Sequence, residues 1–475
     1  MWKAVEHRLP MAASKLLAAC LVLFLGPGLI AQDANSPSAS SPSKSSPQSA
    51  EPAGSIPEKN ESSSHRSVRH IQVPIEDSQS PELTQAEAAI EKKDYAAAET
   101  LLYRFVDREP SSYVGWFDLG FVENALQRID GSIAAYRKSV AAKPDIFESN
   151  LNLGLQLAKT GQPDAVTFLR AATHLKPTSH VVEGQYRAWL ALAQAIEKSK
   201  PVEALSAYQQ AESLQPKEAE PHVSSGQLLE QENKFGDAEH EYQQALALDP
   251  HSSAAAIGLA NIYMRARRFP EAEDYLRKLL AERSDSAPVH IQLGRVLAAE
   301  GKTDDAVAEL QAGVRAAPEN DAAQRDLADL YVAAGKNDLA EASYRKLLAA
   351  HPNEAELHRR LGEALLARKK FTEAQQEFTL AVKFKPDFGE AYAGLAFAAG
   401  ENKDYALVIR ALDARAKLLP EVAITYFMRA SAYDHLRAFK NAAASYRLFL
   451  NSAHGKYPDQ EWQAKHRLIA IEPKK

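Results

Sequence analysis

From about Gln79 to Tyr457 apolar residues recur three and four positions apart, in paired stretches separated by short polar turns. That spacing places them on one face of an α-helix. In the clearest copy Leu361 and Leu365 stand four apart on a first helix, and Ala374, Phe378 and Ala381 follow at spacings of four and three on a second. Neither helix can bury its stripe alone, so the pattern predicts helical hairpins that lean on their neighbours. Prolines stand at 110, 144, 177, 216, 250, 318, 352, 386 and 420, mostly 34 residues apart; Pro250 and Pro318 are 68 apart, with Ser284 at the midpoint. A fixed period of this length marks stacked supersecondary units. Proline lacks an N–H and disfavours helix in the residue before it, so each of these residues ends a second helix. Pro163, Pro201 and Pro270 fall where a second helix should begin, in its first turn, where a missing donor costs little. The intervals of 33 and 39 residues around Pro177 predict a longer first helix or loop near Tyr186 and Trp189.

Within the period, residue types recur in register: Leu361-Gly362, Leu365, Phe371, Ala374, Phe378, Ala381 and Pro386 are matched by Leu293-Gly294, Leu297, Ala306, Leu310 and Pro318, and by Leu327-Ala328, Tyr331, Ala340, Tyr344, Leu347 and Pro352. Small residues stand where two helices approach closely and an aromatic fills the space between them. This register resembles the tetratricopeptide repeat family over nearly all of the chain from Gln79 to Tyr457. The resemblance implies an all-α, right-handed α-solenoid of about eleven helix-turn-helix repeats, with a polar first helix (Gln85, Glu87) at one end and a capping helix at the other. That last helix, from Asp459 to Ile471, is expected to turn Trp462, Leu468 and Ile469 inward and Lys465, His466 and Arg467 outward.

In that family the first helices line a concave face, through residues two, five, nine and twelve places from each repeat start. Carried onto this sequence, those offsets give Val114, Phe117, Phe121, Leu151 and Leu155 in the early repeats, and Asn261, Arg295, Arg325, Asp329, Arg359 and Glu363 in the later ones. The implied groove is apolar at its N-terminal end and charged towards its middle. Its expected ligand is an extended peptide or helix of another protein, with apolar anchors and acidic groups for the arginines. The family's carboxylate clamp depends on a Lys and Asn set that has no match here. Phe117 and Phe121 could instead pack against a neighbouring unit or be covered by the upstream linker.

Residues 1–31 read as a secretory signal: Lys15, an apolar run from Leu16 to Ile30, and Ala31 before Gln32, with Met11 a more natural start than Met1. Residues 32–80, rich in Ser and Pro, cannot bury enough apolar surface to order themselves and read as a flexible linker. The solenoid is assigned to 81–457 and the capping helix and tail to 458–475. The expected product is exported, periplasmic or secreted, with no membrane span once mature; a lipid attached at Cys20 is a rival, disfavoured because most of the apolar run follows that cysteine. Cys20 is the only cysteine, so the mature chain would carry no disulfide or thiolate metal site.

The net charge of −6 spread over 475 residues shows no excess of Lys and Arg, so neither nucleic acid nor a membrane surface is called for. No His-Glu-x-x-His, Gly-x-Ser-x-Gly or Gly-x-Gly-x-x-Gly occurs. Between Gly294 and Gly301-Lys302-Thr303 lie six residues where a phosphate loop needs four. His222, His290 and His358 share one repeat position in alternate units, too far apart for one metal, and read as half-buried packing residues. Asp304, Asp305, Glu271 and Glu273 sit where they favour the dipoles of second helices. No catalytic residue, cofactor or metal is therefore expected. The sequence reads as a protein-binding scaffold of the bacterial cell envelope, not an enzyme. The alternatives are a periplasmic module of a polysaccharide secretion or outer-membrane assembly complex and, remotely, a repeat-regulated glycosyltransferase, for which the repeats leave little chain.

Overall fold

The computed structural model describes residues 80–282 and 284–472. The expected signal and nearly all of the linker lie outside the described residues. Those that are described form 23 α-helices and no strand, in an all-α solenoid architecture. They divide into two compact units, with the boundary between Arg268 and Phe269.

The N-terminal unit contains α1 (Pro81–Glu91), α2 (Tyr95–Arg108), α3 (Tyr113–Ala125), α4 (Ile129–Ala142), α5 (Phe147–Lys159), α6 (Ala165–His174), α7 (Val181–Ile196), α8 (Pro201–Leu214), α9 (Glu220–Gln231), α10 (Phe235–Leu248) and α11 (Ser253–Arg265). The C-terminal unit contains α12 (Phe269–Glu282), α13 (Ala287–Glu300), α14 (Thr303–Ala316), α15 (Asp321–Ala333), α16 (Asn337–Ala350), α17 (Ala355–Ala367), α18 (Phe371–Phe384), α19 (Gly389–Glu401), α20 (Tyr405–Ala416), α21 (Ala423–His435), α22 (Phe439–Ala453) and α23 (Pro458–Ile471). Within each unit every helix packs on the next. First helices also meet first helices, as in α5 with α7, α9 with α11, and α13 with α15, so they share one face.

Side chains at the repeated small and aromatic positions set this packing. The Phe378 ring lies between Gly362 of its own hairpin and Gly394 of the next, and the Tyr242 ring lies between Gly226 and Gly258 in the same way. Both rings are fully buried. A second device joins several first helices to the turn before them. In α3, α5 and α17 the fourth residue donates a hydrogen bond to the carbonyl six places upstream: Trp116 Nε1 to Pro110 (2.9 Å), Asn150 Nδ2 to Pro144 (2.8 Å) and His358 Nε2 to Pro352 (3.0 Å). Hairpin turns repeat as well: residues 93, 127, 161, 233, 267, 301, 335, 369, 403 and 437 all have positive φ. At Lys369, for example, the turn closes with Lys369 N–H on Leu366 C=O (2.9 Å) and Lys370 N–H on Leu365 C=O (2.9 Å), a Schellman arrangement.

The long interval after Pro177 is taken up by α7, whose 16 residues exceed the 13 of α3 or α5. Pro201 opens α8 and Pro270 lies in the first turn of α12, as expected, whereas α6 begins at Ala165, two residues beyond Pro163. At the C-terminal end the expected facing of α23 is corrected at Trp462 and Ile469, while Lys465, His466 and Arg467 are exposed as expected and Leu468 is half-buried. Its buried stripe is Gln460 and Ala464, while Trp462 and Ile469 are 61% and 73% exposed. Arg467 Nε and Nη2 donate to Asp434 of α21 at 2.6 and 2.7 Å, so an ion pair joins the Gln460 and Ala464 stripe in holding the cap.

Candidate functional site

On the N-terminal unit the side chains expected to wall an apolar groove are core residues. Val114, Phe117, Leu151 and Leu155 are each at most 3% exposed. Val114 joins the cluster of Leu102 and Phe105, Phe117 packs on the Tyr136 ring with centroids 5.7 Å apart, and Leu151 and Leu155 cluster with Leu169 and Tyr186. These four therefore offer a ligand no surface in this structure, which corrects the expectation of an exposed apolar end. Phe121 alone of the five stays half-buried, with its ring edge-on to Tyr95 at 6.4 Å. Every residue of α5 from Phe147 to Leu157 is buried, polar ones included. One of their carboxylate oxygens is met from the next turn: Glu148 Oε1 accepts from Thr178 N (2.8 Å) and Thr178 Oγ1 (2.7 Å). Asn261 lies half-buried on α11.

The charged positions of the C-terminal unit do reach the first-helix face, but none of the arginines is bare. Arg295 of α13 donates from Nε to Asp326 Oδ2 of α15 at 2.6 Å. Arg325 of α15 makes a two-pronged contact with Glu354, which precedes α17, including Nη2 to Oε2 at 2.7 Å. Arg360 of α17 reaches back to Asp329 of α15 (3.6 Å) and along its own helix to Glu356 (2.8 Å). Ion pairs thus stitch consecutive first helices together across the face. Arg359 is the extreme case, with a side chain only 9% exposed between Glu356 and Glu363 and a guanidinium 5.6 Å above the Phe388 ring. It is a packing and pairing residue, and the expectation that it meets a ligand's acid is corrected.

Electrostatics follow the pairing. Burial pushes Asp329 up, against the pull of Arg360 and the Tyr344 hydroxyl. Burial also raises Glu363, to about 7, more than Arg359 and Arg360 lower it. At Glu356 burial raises the carboxyl but the hydrogen bond and charge of Arg359, with Arg360, outweigh it and hold it below its usual value. Arg295 and Arg325 keep 40% and 33% of their side chains exposed, and are the two cations of the expected set that a ligand can reach. The partners Asp326, Glu354, Glu356 and Arg360 were not among the expected site residues. Asp326 and Glu354 are not marked within one helix, because their bonds join it to another first helix, whereas Glu356 stands three and four residues before Arg359 and Arg360, a spacing legible in the sequence. The three repeat histidines are likewise engaged: His222, His290 and His358 each place Nδ1 on a glutamate nineteen residues on, Glu241 (2.7 Å), Glu309 (2.7 Å) and Glu377 (2.6 Å). That spacing was legible as a periodic His and Glu pattern.

Stacked helical hairpins whose first helices share a charge-studded face define a repeat scaffold of the kind that holds other proteins. Tetratricopeptide repeat models match residues 228–296, and 83–145, 291–335 and 325–387. The chain belongs to the tetratricopeptide repeat family, and the protein-interaction scaffold is what that fold suggests. Among solved structures it is similar to a tetratricopeptide repeat protein from Parabacteroides merdae ATCC 43184, with 16% identity over 53% of this chain and 98% of that one, at a TM-score of 0.38. It is also similar to yeast Tom70, with 15% identity over 82% and 95% of the two chains and a TM-score of 0.34. YrrB, described as a TPR protein with an unusual peptide-binding site, is 22% identical over 40% and 97%, with a TM-score of 0.36. At TM-scores of this size the superpositions are partial, and the family rests on the repeat matches. No curated protein matches the chain. Among the described residues no helix is long and apolar enough to cross a membrane.

Proposed function

We propose that this chain is an exported, non-catalytic scaffold of the bacterial cell envelope that holds an extended peptide or a helix of a partner protein against the first-helix face of its C-terminal unit. The supporting observation is the mosaic formed by Arg295, Asp326, Arg325 and Glu354, where partly exposed arginine side chains alternate with the carboxylates that pair them. A partner carrying acidic groups gains by displacing Asp326 or Glu354 from a preformed arginine, and by leaving those carboxylates to its own basic groups. Much of the face is already ordered by its ion pairs, which lowers the ordering cost on binding. Export rests on the basic, apolar and small-residue succession ending at Ala31.

The test is fluorescence anisotropy with an array of labelled acidic peptides on the wild type and on Arg295→Glu/Arg325→Glu. Peptides that bind the wild type should bind the double variant on the order of tenfold or more weakly, the loss expected for two like-charge contacts. Equal binding by both would remove this face from the function. For export, the mass of the exported product should place its N-terminus at Gln32, and a retained Leu16 to Ile30 segment would count against cleavage.

A further inference from the structure

The three His and Glu pairs are not equivalent. At His222 a second carboxylate, Glu212 of α8, closes on the same nitrogen: His222 Nδ1 lies 2.7 Å from Glu241 Oε2 and 3.7 Å from Glu212 Oε1. One ligand atom from each of the three residues lies within 4.8 Å of the others. The same repeat register holds Leu280 behind His290 and Leu348 behind His358, so only the first pair gains a third donor. Two carboxylates are thereby brought together, partly out of water, with side chains 19% and 23% exposed.

We propose that Glu212, His222 and Glu241 form a binding site for one divalent transition-metal ion of the zinc type, tying α8 to the α9/α10 hairpin. The donor set is one imidazole nitrogen and two carboxylate oxygens, which suits zinc, with its bonds of about 2.0–2.2 Å. Ligands at that radius around a tetrahedral ion are about 3.4 Å apart. The Glu212 separation from His222 is already close to that size, the Glu241 contact has to open by less than about 1 Å, and the two carboxylate oxygens, within 4.8 Å of each other, have to close by at most about 1.4 Å, all within reach of side-chain rotations. Ser225 Oγ donates to Glu212 Oε1 at 3.4 Å and gives that carboxylate an outer partner. Partial exposure of all three side chains leaves the fourth position to water. A dication also meets an electrostatic need, because two carboxylates are held together there partly out of water. A metal takes the lone pair of His222 Nδ1, so a proton on that atom leaves to solvent as the metal–nitrogen bond forms.

The experiment is calorimetric titration of the full-length, EDTA-stripped chain with ZnCl2 near pH 7, repeated in buffers of different ionisation enthalpy. One saturable site per chain is expected, with proton release, weakened on the order of tenfold or more by Glu212→Leu, Glu212→Gln and His222→Ala. Glu212→Leu introduces the residue that the later repeats carry, and circular dichroism checks that each variant keeps its helices. His290→Ala and His358→Ala should bind as the wild type does. Absence of a one-to-one site in the wild type overturns the proposal. So does binding unchanged by both Glu212 variants, which would mark an adventitious ion on the ordinary His and Glu pairs.

Discussion

At the scale of single residues, the repeat is held by a few side chains with no room to change. A Cβ added to Gly394 would meet Phe378 Cε1 at 2.3 Å and Cζ at 2.4 Å, whereas one added to Gly400, six residues on in the same helix, would meet nothing closer than Val408 Cγ2 at 3.7 Å. Gly394→Ala should therefore destabilise the protein by about 1–3 kcal/mol through overpacking. Gly400→Ala should instead be neutral or stabilising by up to about 1 kcal/mol, because alanine is the better helix former. Urea unfolding of the two variants checks this, and two changes of the same sign would mean that the ring does not wedge between the hairpins. Gly362 was readable as a small contact position, but the register could not say that one aromatic serves two hairpins or that Gly394, outside the Leu-Gly position, meets the same ring.

Helices and their turns carry a different kind of information. Glycine supplies the left-handed turn residue at 161, 301 and 335, yet Lys93, Gln127, Asn233, Arg267, Lys369, Lys403 and Arg437 adopt the same conformation. A side chain there costs about 1–2 kcal/mol, and glycine's extra freedom in the unfolded chain costs about 0.5–1 kcal/mol. The difference predicts that Lys403→Gly, at an exposed turn between α19 and α20 with φ of 62°, raises stability by about 0.5–1 kcal/mol. A fall in the melting temperature would show that the Lys403 side chain makes a compensating contact. The reason this turn is kept lies in its two backbone bonds, Lys403 N–H to Gly400 C=O (3.0 Å) and Asp404 N–H to Ala399 C=O (2.8 Å). A sequence pattern finds turns through glycine and proline, so these seven positions could be placed only by period, not by residue type.

At the scale of the whole molecule, stability over pH is set by carboxylates shifted in opposite senses. Glu363 is raised to about 7 from 4.5, so the folded chain binds its proton more tightly than the unfolded chain. Its contribution is full below pH 4.5 and is lost as pH rises towards 7. Glu341 behaves oppositely: burial pushes it up, but hydrogen bonds from Lys370 and Arg368 and the charge of Arg345 hold it below 4.5. Its contribution is present above pH 4.5 and lost as pH falls through its folded value, and Glu356 acts in the same sense. Chemical denaturation of the wild type should show stability falling on the acid side of pH 4.5 and a second decline between 4.5 and 7. Glu363→Gln should make the second slope shallower, leaving what the raised Asp329, Glu197, Glu212 and Glu230 contribute, and should leave the first unchanged. A decline between 4.5 and 7 undiminished in Glu363→Gln would assign it wholly to those other groups.

By itself the sequence determined the class of fold, because a period of 34 residues and a three-and-four apolar spacing leave stacked hairpins as the only way to hide every stripe. It also placed the hairpins, the long α7 and the face to which Arg295, Arg325 and Arg359 belong. Only the tertiary structure decided which of those side chains are surface and which are core. An offset along one helix says which way a residue points, but not whether a neighbouring helix has closed over it, as at Phe117 and Leu151, or whether a carboxylate some thirty residues on has claimed its charge, as at Arg295 and Arg325. Glu212 shows the same limit from the other side: it sits on a different helix from His222, and only the packing of α8 on α9 brings the two together.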